Sequence, residues 1–194
     1  MCNIAMRTPF PSGRLVASAL FVSIALWAVM MYGTLAHLTD MAGGDVPFDM
    51  RPLGYRVGQA RSLLATLGED GRAYYAHVQL ALDAIYPATY ALSRGLLLWW
   101  LTMPGRLGVR ATPITIRVGL LVPPLAAAAF DYFENSRIAT MLIIGPSVDP
   151  DLVAIASGAT IAKSAATIIT EIAAVALLMI AGVHWWLRKR AQAM

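Results

Sequence analysis

The feature that most constrains this chain is the spacing of its charges. From Leu15 to Leu38 there is no Asp, Glu, Lys or Arg. Three further apolar stretches follow, about Tyr74 to Met103, Ile114 to Ile144 and Asp151 to Leu187, each long enough for the ~20 residues a helix needs to cross a bilayer. A helix satisfies its own backbone polar groups, so it is the form an apolar run takes in lipid. Composition agrees: 58% of residues are hydrophobic and 13% charged, with mean hydropathy +0.63, against about 25% charged in soluble domains. The expectation is an all-α polytopic membrane protein, residues 1–194 forming one transmembrane domain with a four-helix bundle spanning at 15–38, 74–103, 114–144 and 151–187. The first run competes with a signal peptide. It exceeds the ~7–15-residue core of such a peptide, and Tyr32-Gly33-Thr34-Leu35-Ala36-His37 is a poor cleavage site, so a retained helix is expected.

The connections carry turn chemistry. Residues 39–72 are the only long polar segment, and Asp40, Gly43, Gly44, Asp45, Pro47 and Pro52 mark irregular chain. Within it, Val57, Ala60, Leu63, Leu64 and Leu67 recur at helical spacing, predicting a short helix over 55–67 that lies on the membrane surface or caps the bundle. Gly68 is its expected stop and Asp70 the start of the next helix. Pro87 should kink the second span, because proline removes a backbone donor. The Pro123-Pro124 pair lies in the third, and Gly145-Pro146-Ser147-Val148-Asp149-Pro150 is the clearest turn. The fourth run outlasts a bilayer, so its start should project past the membrane. Trp99, Trp100, Trp185 and Trp186 read as interfacial anchors.

The net charge of +4 does not point to nucleic acid, since the basic residues flank apolar runs and form no soluble basic face. They set orientation instead. An even span count puts both termini on one side. That side carries Arg7, Arg14, Arg106, Arg110, Arg188 and Lys189, among others, and no acid; the opposite side mixes both signs. The expectation is a cytoplasmic (inner) membrane with both termini cytoplasmic and 39–72 outside. The single cysteine, Cys2, forms no intrachain disulfide and belongs to no zinc pattern.

Ionisable residues inside a span are expensive, and so mark candidate sites. At about 1.5 Å per residue, Asp83 and Asp131 lie roughly 25 Å, and Glu171 about 22 Å, from the cytoplasmic interface. Residues three and four apart share a helix face. The second span therefore presents Asp83 with Tyr86, Tyr90 and Arg94, the third Asp131 with Glu134 and Asn135, and the fourth Lys163 with Thr167 and Glu171. His37, Asp40, His77 and Arg137 approach from the same side as secondary candidates. Two readings stay open: one outward-facing acidic pocket, or Arg137 and Lys163 pairing with the acids as structural glue. Arg94 reads as a snorkelling side chain and His184 as interfacial. No metal site and no cofactor is expected, as HExxH, GxxxxGK[ST] and GxSxG patterns are missing from the sequence.

The segments Asp83-x-x-x-Pro87-x-x-Tyr90 and Phe130-Asp131-Tyr132-Phe133-Glu134-Asn135 resemble patterns in bacterial four-span membrane proteins. The span order, the long loop after the first span and the acid–proline–tyrosine order also resemble the EXPERA, or emopamil-binding, fold. That resemblance implies Asp83 as a second-helix acid and Asp40 as a first-helix acid that bind the amine or developing cation of a sterol-like ligand. The functional expectation is an acidic pocket, open to the outer leaflet, that binds a lipid or small amphiphile. An assembly subunit of a membrane complex and a small proton-linked transporter are the alternatives. Expected partners are membrane lipid, a small amphiphilic ligand, and a membrane-protein partner or a second copy of the chain.

Overall fold

A computed structural model describes residues 11–109 and 111–193; Cys2, Arg7 and Arg110 lie outside the described residues. Those residues form helices and turns, with no strand among them. The elements are α1 (Gly13–Met41), α2 (Val57–Tyr74), α3 (Leu80–Asp83), α4 (Tyr86–Leu101), α5 (Ile114–Gly119), α6 (Val122–Ile144) and α7 (Pro150–Ala193). Three helical stretches are long and apolar enough to cross a membrane: α1, the Ile114–Ser147 stretch containing α5 and α6, and α7. The apolar run from Tyr74 to Met103 is divided between a π-helical turn at Tyr75–Gln79, α3 and α4.

Prolines set these divisions. Pro87 cannot donate to the Asp83 carbonyl four residues back, and its ring crowds that carbonyl. Helix α3 ends at Asp83, and Pro87 falls in the first turn of α4, where a missing N–H costs nothing. Pro123 lies four residues after Gly119 in the same way; α5 ends at Gly119, and the proline pair occupies the first turn of α6. Glycines set two more boundaries. Gly68 breaks α2 with φ 63°, and the Arg72 guanidinium donates to the Leu64 carbonyl across the break (3.0 Å). Gly145, φ 73°, ends α6. Both conformations are left-handed and exclude most other residues.

Helix α1 packs along α4, α6 runs along α7, and α4 lies against both α6 and α7. Two larger apolar cores result, with a small third cluster of Tyr90, Ala127 and Ala166 between them. One, at the end nearest residues 42–56, holds Leu38, Phe48, Leu63, Tyr75, Ile138 and Met141. The other, near the chain termini, holds Val16, Leu97, Leu98, Leu101 and Ala174. Between them lies a polar layer. The outer surface is the reverse of a soluble protein's: Phe21, Tyr32, Ile143 and Ile172 are all more than 60% exposed. Contiguous apolar surface of that extent fits lipid rather than water.

Candidate functional site

Each main helix contributes to the polar layer. Asp83 at the end of α3, Asp131 and Glu134 on α6, and Thr160 on α7 are all buried. Lys163, one turn after Thr160 and largely covered, reaches both α6 acids. Its Nζ lies 3.1 Å from Asp131 Oδ1 and 2.5 Å from Glu134 Oε2. The Thr160 hydroxyl donates to Glu134 Oε1 at 2.6 Å. One cation thus bridges two carboxylates, and the second oxygen of Glu134 has its own donor. Buried charge is tolerated only when paired and hydrogen-bonded in this way.

Asp83 stands apart, with no cation within ion-pair distance among the described residues. It lines a cavity of about 260 Å³ together with Asp131, Lys163, Tyr86, Tyr90 and Thr167. The opposite wall is Trp27, Met30 and Met31 of α1, and Asp49 and Pro52 close one end. A second cavity of about 330 Å³ continues along the same seam, between Ser23 and Trp27 of α1 and Thr167 and Glu171 of α7. Trp27, Tyr86, Tyr90 and Thr167 line both. The seam between α1 and α7 is therefore a cleft floored by α4. Its rim includes Trp27 and Ile168, both exposed on the apolar outer surface.

In the second cavity Arg94 Nε donates to Glu171 Oε1 at 2.7 Å, and its guanidinium stands 5.2 Å from the Tyr90 ring centre. Arg94 turns inward to an acid on α7 and does not snorkel toward the interface as its place in the sequence predicts. Beside it the Tyr90 hydroxyl and Arg94 Nη1 are buried without a partner.

Asn135 and Tyr132 show what the Phe-Asp-Tyr-Phe-Glu-Asn run does structurally. The Asn135 amide donates to the Asp83 carbonyl (3.4 Å), the acceptor that Pro87 leaves without its helical donor, and the Tyr132 hydroxyl donates to the Ala84 carbonyl (3.1 Å). Helix α6 thus supplies the hydrogen bonds that the α3–α4 break needs. Asn135 therefore supports the backbone that carries Asp83 and does not line the cavity.

The four secondary candidates lie elsewhere. His37 is exposed and packs edge-on against Tyr74 at 4.8 Å, Asp40 and His77 are exposed, and Arg137 stands over Phe133 at 5.0 Å. None lines the cavity. Sequence reading missed Asp49, Tyr75, Thr34 and Tyr55. Asp49 sits in a 3₁₀ turn, Phe48–Met50, whose Phe48 is wholly buried; it accepts a hydrogen bond from the buried Tyr75 hydroxyl. Thr34 donates to Gln79, linking two π-helical turns, Met30–Thr34 and Tyr75–Gln79, at the level of the cavity. Such turns often mark functional sites. Burial, and next the neighbouring Glu134 carboxylate, push the Tyr55 phenol above its ordinary range, so it stays neutral. The only sequence signal for Asp49 is the proline bracket of Pro47 and Pro52, which marks irregular chain but not its direction. Among the described residues, no three His, Cys, Asp or Glu side chains cluster closely enough to hold a metal ion. No family model, curated protein or solved structure matches the chain.

Proposed function

We propose that this chain is a four-span protein of the cytoplasmic membrane, with both termini cytoplasmic, that binds a lipid or small amphiphile in the acidic cavity. The divided run of residues 74–103 supplies the remaining span, its proline break buttressed by Tyr132 and Asn135. Interfacial pairing at the terminal end supports the orientation: Arg117 lies over Trp99 at 3.8 Å and Arg190 over Trp186 at 3.9 Å. Tryptophans at headgroup level with basic neighbours are what a cytoplasmic interface selects. The α2 segment then caps the bundle outside, and the cavity opens toward the outer leaflet.

The observation that carries the binding proposal is the unpaired, buried Asp83 at the inner wall of a cleft whose rim faces lipid. A polar head would meet Asp83 and the Asp131–Lys163 pair, while an alkyl portion lay along Trp27, Met31 and Ile168. Tyr86 and Tyr90 offer hydroxyls beside apolar rings, the combination an amphiphile needs. Mass spectrometry of the protein taken gently from its native membrane tests this. We expect a small amphiphile to co-purify with wild type and with Asp149→Asn, and to be lost from Asp83→Asn, which keeps the side chain's shape. Ligand-free wild type, or equal retention by Asp83→Asn, would overturn the reading.

One observation favours the structural-subunit alternative. The Asp131–Lys163–Glu134–Thr160 network closes on itself, as a purely architectural ion pair would. Under that reading Asp83→Asn changes partner association and no ligand. A proton-linked transporter needs polar groups continuing to the far face, and α7 is apolar between Glu171 and His184.

A further inference from the structure

The terminal end of the bundle carries a second feature, independent of the acidic cavity and resting only on the membrane placement. Two cavities, about 380 and 400 Å³, adjoin between the 104–109 loop and the last turns of α7. Gly105, Arg106 and Arg188 line both. The Arg106 guanidinium carbon stands 3.5 Å from the centre of the Trp100 ring, a cation–π contact that holds the side chain at the cleft. The loop is shaped to sit close to α7. Gly108 has φ 80°, and a Cβ there would come within 2.7 Å of His184 Nδ1. The other ring nitrogen of His184 and the Trp100 indole nitrogen are buried without a protein partner. Both residues line the 380 Å³ cavity. Neither Arg106 nor Arg188 has an acidic partner among the described residues, and the sequence holds no acid between Glu171 and its last residue, nor between Asp83 and Asp131. Two guanidiniums lining one cleft, with unpartnered ring nitrogens beside them and no carboxylate, are a donor set suited to an anion. Arginine's planar fork matches phosphate oxygens in pairs, and this cleft lies at the level of the interfacial tryptophans.

We propose that these cavities form a binding site for a phosphate group carried on an anionic phospholipid of the cytoplasmic leaflet, gripped by Arg106 and Arg188 with the Trp100 and His184 rings beside it. The polar face of the cleft takes the headgroup. Leu178 and Ala181, on the same wall, take the start of an acyl chain.

Native mass spectrometry of the full chain with added phosphatidylglycerol, with phosphatidylcholine and with inorganic phosphate tests the site. Phosphatidylglycerol should be retained at collision energies that strip phosphatidylcholine, and inorganic phosphate should not compete it off. At the strength usual for charge-assisted hydrogen bonds from two guanidiniums to one phosphate, Arg106→Gln with Arg188→Gln should weaken phosphatidylglycerol retention about 30-fold. Lys189→Gln with Arg190→Gln removes as much charge one residue further on, outside both cavities, and at physiological salt, which screens exposed charge, should change retention less than about threefold. Equal retention of the two lipids overturns the proposal, as does a loss in the Lys189/Arg190 variant matching that in the Arg106/Arg188 variant, which would mean diffuse attraction. Displacement by inorganic phosphate would assign the cleft to a soluble anion and overturn the lipid. If the arginine variant fails to insert, wild type decides: phosphatidylglycerol held against excess phosphatidylcholine supports the site, and exchange between them refutes it.

Discussion

Lys163 is the residue on which the polar layer balances, because it answers two acids that have no other cation among the described residues. Replacing it by methionine keeps the apolar stem but leaves Asp131 and Glu134 facing each other in a poorly solvated site. Breaking a buried pair from one side costs about 3–5 kcal/mol. Lys163→Met should therefore unfold at distinctly lower temperature in detergent than wild type, whereas Lys189→Met, exposed near the chain end, should match wild type within error. Equal melting of the two variants would show that the triad contributes nothing to stability. A smaller residue effect tests the α3–α4 break. Asn135→Ala removes the donor to the Asp83 carbonyl and should cost about 0.6 kcal/mol, the usual worth of a polar contact between membrane helices. In a Pro87→Ala background the backbone regains its own N–H donor to that carbonyl, so the Asn135→Ala penalty should largely vanish. A double-mutant cycle of unfolding in mixed micelles measures this, and a penalty of the same size in both backgrounds would separate Asn135 from the proline.

At the scale of elements, the segment joining α1 to α2 decides whether the cavity has an end wall. Residues 48–55 are held on α7 by one backbone contact: the Tyr55 N–H donates to Ser157 Oγ at 2.8 Å. That approach requires glycine before it. Gly54 has φ 79°, and a Cβ would fall 2.5 Å from Ser157 Oγ and 3.0 Å from Ile161 Cδ1. Gly54→Ala should lift the segment from α7, costing about 1–2 kcal/mol for the left-handed backbone alone, and should raise amide exchange over residues 48–56. Gly58, in the first turn of α2 with open space around it, is the control: Gly58→Ala should be neutral or slightly stabilising. Protection over residues 48–56 that survives Gly54→Ala would mean that Phe48 packing alone holds the wall.

For the molecule as a whole, the proposed orientation rests on where the basic residues gather. Arg106, Arg117, Arg188 and Lys189 gather at the terminal end without an acid, and carrying them across a bilayer would be costly. Reporter fusions after Gly108 should read cytoplasmic, and fusions after Gly44 should read exported. A cytoplasmic signal after Gly44 would mean that α1 does not cross, and the four-span arrangement would fall with it.

Helix identity and its interruptions were legible in the sequence because both are local. Apolar runs commit the backbone to helix in lipid, and Pro87, Pro123, Gly68 and Gly145 act on carbonyls or torsions within four residues of themselves. The four-residue spacing of Tyr86 and Tyr90 within α4 likewise places them on one face, whereas Asp83 lies across the α3–α4 break. Partner choice was not local. That Lys163 serves both Asp131 and Glu134, that Arg94 meets Glu171, and that His37, His77 and Arg137 stay outside the cavity depend on how far each helix is rotated against the next. No single-helix pattern encodes that rotation; it is set by side-chain packing in the two apolar cores. The position of Asp49 was further still from reach, since its segment has no periodicity. Burial of Phe48 and the Tyr55–Ser157 contact, both made with distant parts of the chain, bring it to the cavity.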